Sequence, residues 1–186
     1  DPSVAYRVLA VVNSSAFGLD RRVESLRHAI VLLGINQVRH LAILLAMSAT
    51  KDASEELIKL GASRARLISR LVSHSDASSG AFTVGLLSVT DALYRTPMAE
   101  LLTELPVSEQ IGKALLDGDG EYGRLLDVAR ACEHADVERI EELLPGSAHR
   151  VVDEYRSAVE WADEICSHVA SRPSVSAERM RTLAAA

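Results

Sequence analysis

The segment spanning residues 148–170 constrains the fold most. Val151, Tyr155, Ala158, Ala162, Ile165 and Val169 recur at three- and four-residue spacing, with Trp161 and Cys166 flanking the stripe. That period is one face of an α-helix; a strand would alternate every second residue. An amphipathic helix of this length needs other elements to cover it, and the rest of the chain points to more helices. Aromatic residues make up 4% of the 186 positions, and only 10 glycines and 5 prolines interrupt them. Sandwiches and barrels draw on β-branched and aromatic residues with frequent turn signals. An Ala- and Leu-rich chain favours helix instead.

Local signals divide the chain. Val4, Val8, Val11 and Val12 predict a helix over 2–14, ended by Asn13-Ser14-Ser15, before a loop from Phe17 to Arg22. Ser25 is the expected N-cap of a helix stopping at Gly34, and Asn36 that of a helix to about Lys51. In the latter, Leu41 to Met47 is apolar nearly all round, which predicts a place at the centre of the fold. Ser54 opens a helix to about His74, where Gly61 implies a close helix contact. After a 75–80 loop comes a helix over 81–94; Thr96-Pro97 then reads as cap and first helical residue. Further helices are expected from Ser108 to Leu116, over 121–134, over 137–144 with Asp136 as cap, and over 148–170. The expected fold class is all-α, a bundle of about nine or ten helices. Residues 1–95 would form its core helices, 96–170 would pack on them as one domain, and 171–186 would be a frayed tail.

Net charge is −6, so a strongly basic nucleic-acid footprint is absent and nucleic acid is an unlikely partner. The longest apolar run, Leu41 to Ala49, is far short of the ~20 residues of a membrane span. Cys132 and Cys166 lack metal-ligand or redox spacing and read as buried thiols of a cytoplasmic protein. The Asp1-Pro2 start implies residues upstream.

Two stretches carry a family resemblance. Asp1 to Leu9, Val12-Asn13-Ser14-Ser15-Ala16-Phe17-Gly18 and Val23 to Gly34 resemble the opening of an HDOD domain, a non-catalytic relative of HD-domain phosphohydrolases. Leu105-Pro106-Val107-Ser108-Glu109-Gln110-Ile111, Ala114-Leu115-Leu116, Gly123 and Glu160-Trp161-Ala162 resemble the C-terminal part of bacterial proteins joining an EAL domain to HDOD. The EAL domain is the cyclic di-GMP phosphodiesterase fold. The resemblance implies an HD-like helical bundle serving as a regulatory output module, with Asn13, Ser14 and Gly34 in the family motif. Its partner would be a protein, the chain's own upstream EAL domain, or a second copy.

HD hydrolases hold divalent metal through His and Asp ligands that activate water for attack on phosphate. The family's ligand-bearing segment matches Gly85-Leu86-Leu87-Ser88-Val89-Thr90-Asp91, so Ser88-Val89 replaces the His-Asp pair. A hydroxyl and an isopropyl group cannot hold a divalent ion. The preceding helix, Ala62-Ser63-Arg64-Ala65-Arg66, has no His, and Asp91 alone is no site. The expectation is therefore no catalytic residue, no metal and no cofactor. His74-Ser75-Asp76 reads as a helix end followed by a turn. His28 and His40 are expected on polar helix faces, His134 at a helix end, and His149 and His168 in solvent. The acidic Asp117–Glu121 turn around Gly118 and Gly120 is hostile to phosphate.

Two basic clusters remain as a possible partner surface: Arg21, Arg22 and Arg27, and Arg64, Arg66 and Arg70. Intramolecular pairing is the simpler role for them, with Glu138, Glu141 and Glu142 as one acidic counterpart. The function expected is a regulatory signalling module acting by protein contact. The alternative is a divergent metal-dependent phosphohydrolase or nucleotide-binding domain.

Overall fold

The computed structural model describes residues 2–19, 21–50, 53–74 and 77–170. The expected tail at 171–186, Lys51 and Asp76 lie outside the described residues. Among those described, the chain is all-α: α1 (Pro2–Val12), α2 (Leu26–Leu33), α3 (Ile35–Ser48), α4 (Glu55–Leu71), α5 (Ser78–Leu87), α6 (Thr90–Tyr94), α7 (Met98–Glu104), α8 (Glu109–Leu116), α9 (Gly120–Glu133), α10 (Val137–Leu143) and α11 (Ala148–Ala170), with a 3-10 turn at Ser15–Phe17. None of these helices is singly long and apolar enough to cross a membrane.

Caps set many of the boundaries. The hydroxyls of Ser25, Ser54 and Ser108 accept from the amides of His28, Leu57 and Ile111, and the Asp136 carboxylate accepts from Arg139 N. Three expectations need correction. Asn36 does not cap α3: Gly34, at φ +84°, ends α2 and starts α3 with no linker, bending the pair by 120°. Pro97 is itself the cap residue of α7, with ψ 137°, while Thr96 Oγ1 donates to Tyr94 O. The single helix expected over 81–94 breaks at Ser88-Val89 into α5 and α6, and α5 begins at Ser78, whose hydroxyl donates to Ser69 O.

α4 and α11 form the spine. One apolar cluster gathers Val8, Val12, Leu41, Leu44, Leu45 and Ile58 with the C-terminal half of the α11 stripe, Ala162, Ile165 and Val169. A second gathers Leu67, Ile68, Val84, Leu125, Leu126 and Ile140 with Val151 and Ala158. Since α4 and α11 each supply residues to both clusters, the two cores are tied by continuous helices. α5 crosses α4 so closely that a Cβ on Gly85 would run into the backbone of Arg64 and Ala65. One on Gly61 would lie 2.9 Å from Val89 Cγ2, so the close contact expected at Gly61 is real.

α3 is not the all-round central helix its apolar run predicts. Leu41, Leu44, Leu45 and Met47 are buried, but Ala46 is exposed and Ile43 half-buried, because among the described residues that side of the run lines a cavity. Arg7, which the sequence does not single out, ties three helices: its guanidinium donates to Ser48 Oγ at 3.0 Å, Val169 O at 3.1 Å and Leu45 O at 3.4 Å. Trp161 lies half-buried on α11, edge-on to Phe82 with centroids 6.0 Å apart.

Candidate functional site

The segment matched to the HD ligands ends α5 and turns into α6. Ser88 is the residue closing α5, and its hydroxyl donates to Gly85 O at 2.7 Å. Val89 is buried against α4. Facing Ser88 from α4 is Arg64, whose Nη1 donates to Ser88 Oγ at 3.1 Å. The rest of that guanidinium forms a two-pronged pair with Glu133 of α9, Nε to Oε1 at 2.7 Å and Nη2 to Oε2 at 2.8 Å. The pair is well shielded, with side chains 11% and 13% exposed. A fork of this geometry uses both carboxylate oxygens. The cation beside Ser88 is thus the Arg64 guanidinium, and the carboxylate nearest it is already engaged by that guanidinium. Asp91 turns away: it is exposed, and its Oδ1 accepts from the amide of Ala92. Among the described residues, no three His, Cys, Asp or Glu side chains are grouped to hold a metal.

A second constellation lies around the N-terminal motif. Asn13 donates from Nδ2 to Val23 O at 2.8 Å and accepts at Oδ1 from Val23 N at 2.7 Å. The same Nδ2 donates to Leu9 O at 2.8 Å. A side-chain amide presents a donor and an acceptor side by side, as a strand edge does, and so pairs with both backbone groups of one residue. The clamp ties the end of α1 to Val23, three residues before α2, and seats the buried Val23 side chain. Ser14 Oγ donates to Val11 O at 2.6 Å, closing the last turn of α1. Asn13 is thus more than the polar helix end its sequence position indicates.

Comparison with known proteins agrees with this motif. The HDOD domain family matches residues 1–93. The chain belongs to the HDOD family. It is 28% identical over 177 residues to the uncharacterized protein YuxH of Bacillus subtilis, covering 89% of this chain and 42% of that protein. It is 29% identical over 146 residues to the cyclic di-GMP phosphodiesterase CdgJ of Vibrio cholerae, covering 76% of this chain and 34% of CdgJ. The chain therefore spans 34–42% of the length of these relatives. No solved structure matches it.

In this HDOD chain the two arginine clusters part company. Arg21, Arg22 and Arg27 are exposed and form no ion pair among the described residues. Arg64 is not a surface residue, for the reason above. Arg66 is half-buried over the Trp161 ring, its Cζ 5.1 Å from the centroid. Arg70 is exposed and lies 3.7 Å from Glu154 of α11. The acidic counterparts are thus Glu133 and Glu154. Glu141 instead accepts from the amides of Gly146 and Ala148 at the start of α11.

The histidines follow the sequence reading except at His168, expected in solvent, and most clearly at His40. His28 and His74 are exposed. His134 closes α9 with Nδ1 2.8 Å from Arg130 O, and exposed His149 pairs with Asp153 at 3.0 Å. His168 is half-buried, 3.3 Å from Ser15 Oγ. His40 departs furthest: it is buried and stacked on Phe82 at 4.1 Å, not placed on a polar face. Its Nε2 lies 3.4 Å from Ser79 Oγ, and Nδ1 has no partner among the described residues. Burial, helped by the Arg39 charge, pulls its pKa down to about 4. Both cysteines are buried as expected, and burial pushes Cys132 up to about 11 and Cys166 up to about 12, so neither thiol is a ready nucleophile.

Proposed function

We propose that this HDOD chain is a signal-transduction module that works by protein contact and performs no covalent chemistry. The observation that carries the reading is the Arg64–Glu133 fork beside Ser88. In an HD hydrolase that neighbourhood gathers metal ligands; here its cation is a guanidinium and its carboxylate is already paired. CdgJ, a longer relative, is named a cyclic di-GMP phosphodiesterase. Our reading places any such activity in another domain of a longer polypeptide, with this segment biasing it.

The α2–α3 corner supports the contact role. Val31 is 77% exposed, Ile35 60% and Leu32 50%, a cluster that solvent alone does not favour. Arg27 stands one turn before Val31, and exposed Arg21 and Arg22 lie upstream. An apolar centre with a basic rim, on a chain of net charge −6, suits an acidic protein face with its own apolar centre. The partner we assign is a phosphodiesterase-type domain of the same polypeptide.

The test is turnover by the 186-residue chain with cyclic di-GMP and with a generic aryl phosphodiester, in magnesium and in manganese. The expected rate equals the blank. Turnover that follows metal concentration and is lost in Ser88→Ala overturns the reading. Arg21→Glu combined with Arg22→Glu should weaken association with the phosphodiesterase domain while leaving helicity by circular dichroism intact. Unchanged association removes this corner as the docking face.

A further inference from the structure

α3 keeps one apolar side out of the core, and α7 faces it without touching bottom. None of the residues of α7 is buried, and its principal packing is against its chain neighbours α6 and α8. Between α7 and the α3–α5 wall lies a half-open cavity of about 780 Å³. Ile43, Met47 and Leu87 line one wall, and Leu101, Leu105 and Ile111 the other. That volume falls within the roughly 300–1,000 Å³ of small-molecule pockets, which are mostly apolar with a few placed polar groups.

One such polar group is in place. Arg39, on α3, lines the cavity. Its Nη2 donates to Ser79 Oγ at 2.9 Å and Asn36 Oδ1 at 3.1 Å, two neutral acceptors that orient the guanidinium without neutralising it. It forms no ion pair among the described residues. The acid among the lining residues, Glu104, ends α7 on the strap side. A ligand's negative charge therefore has one favoured end of the cavity, at Arg39.

We propose that this cavity binds an amphipathic organic monoanion, its carboxylate on Arg39 and its hydrocarbon body between α3–α5 and the α7 strap. The ligand supplies what both walls lack: apolar cover for Ile43 and Ala46 on one side and for Leu101 and Leu105 on the other. Binding closes the strap on the core and so couples ligand to the outer surface of α7 and α8. The site goes beyond the protein-contact reading and does not depend on it, since direct binding to the isolated chain is what is measured.

The experiment is calorimetric titration with decanoate and, separately, with decanol, below their aggregation thresholds. The native chain should bind one decanoate. Arg39→Gln should weaken decanoate about tenfold, the scale of one charge-assisted hydrogen bond, and leave decanol unchanged; Arg39→Lys should recover part of the loss. Exposed Ala46 and half-buried Thr83 both line the space, so Ala46→Trp or Thr83→Phe should abolish binding of both probes while leaving helicity and melting intact. Two filling variants guard against either one misfolding. The proposal is overturned by no decanoate binding to the native chain, by equal affinity in Arg39→Gln, or by undiminished binding in a folded cavity-filled variant.

Discussion

Replacing Arg64 by methionine tests whether the Arg64–Glu133 fork has the energetics of a buried pair. The change keeps the unbranched stem and removes the guanidinium, leaving Glu133 13% exposed with neither oxygen paired to it. Breaking a buried pair from one side costs about 3–5 kcal/mol. About a tenth of each side chain still reaches solvent, so the lower end, about 3 kcal/mol, is expected. Ser88 keeps its own bond to Gly85 O and adds little to the loss. For a chain of this size about 3 kcal/mol lowers Tm by about 6–12 °C. Glu133→Leu alone should cost a similar amount, because it strands the guanidinium. Arg64→Met with Glu133→Leu should return to near native stability, since an apolar pair needs no desolvation. Urea unfolding read by far-ultraviolet dichroism and Trp161 fluorescence gives the four corners of the cycle. With about 3 kcal/mol lost in each single variant and almost none in the double, the coupling should be about 6 kcal/mol and nearly insensitive to salt, because a shielded pair is poorly screened. Two single losses that simply add, or singles below about 1 kcal/mol, would refute the placement of this pair in a dry interior.

Other outcomes follow from neighbouring features. His40 should make stability fall with acid: its folded pKa of about 4 lies below the ordinary 6.5, so between those values the unfolded chain binds the extra proton. The contribution is complete above pH 6.5 and declines toward pH 4 by about 3 kcal/mol in all, and His40→Phe should flatten that decline in urea midpoints; equal slopes would contradict it. Asn13→Ala should cost about 1–3 kcal/mol by stripping both Val23 backbone groups of their partner, and hydrogen exchange at the Val23 amide should speed up. Asn13→Asp keeps the acceptor and sets a carboxylate against Val23 O, so it should be no milder than alanine. Gly85→Ala should cost about 1–3 kcal/mol through overpacking of α4 and α5, and an unchanged melting temperature would count against so close a crossing.

Much of this was legible in the order of residues. The α11 stripe, the caps at Ser25, Ser54, Ser108 and Asp136, and the N-terminal motif depend on neighbours within a few positions, and such spacing is written along the chain. Family membership was equally accessible, because the Asn13–Gly34 pattern lies within one short stretch. The burial of both cysteines could be read as directly, from their lack of ligand or redox spacing.

The remainder required knowing which helices meet. Arg64 and Glu133 are 69 positions apart, and Arg7 reaches Val169 across 162; nothing local marks either as more than a surface charge. Arg64 thus passed for part of a basic patch until α9 was placed opposite α4. His40 passed for a polar-face residue until Phe82 came to lie flat against it. The α3 run carried a half-signal: too much hydrophobicity for one buried face says that something must cover the second, but not whether that is a helix or an open space. Helical periodicity is a property of three or four residues and travels with the chain. Charge pairing, burial and cavities are properties of distance between helices, and they come into being only when α4, α9 and α11 pack and α7 is left standing off α3.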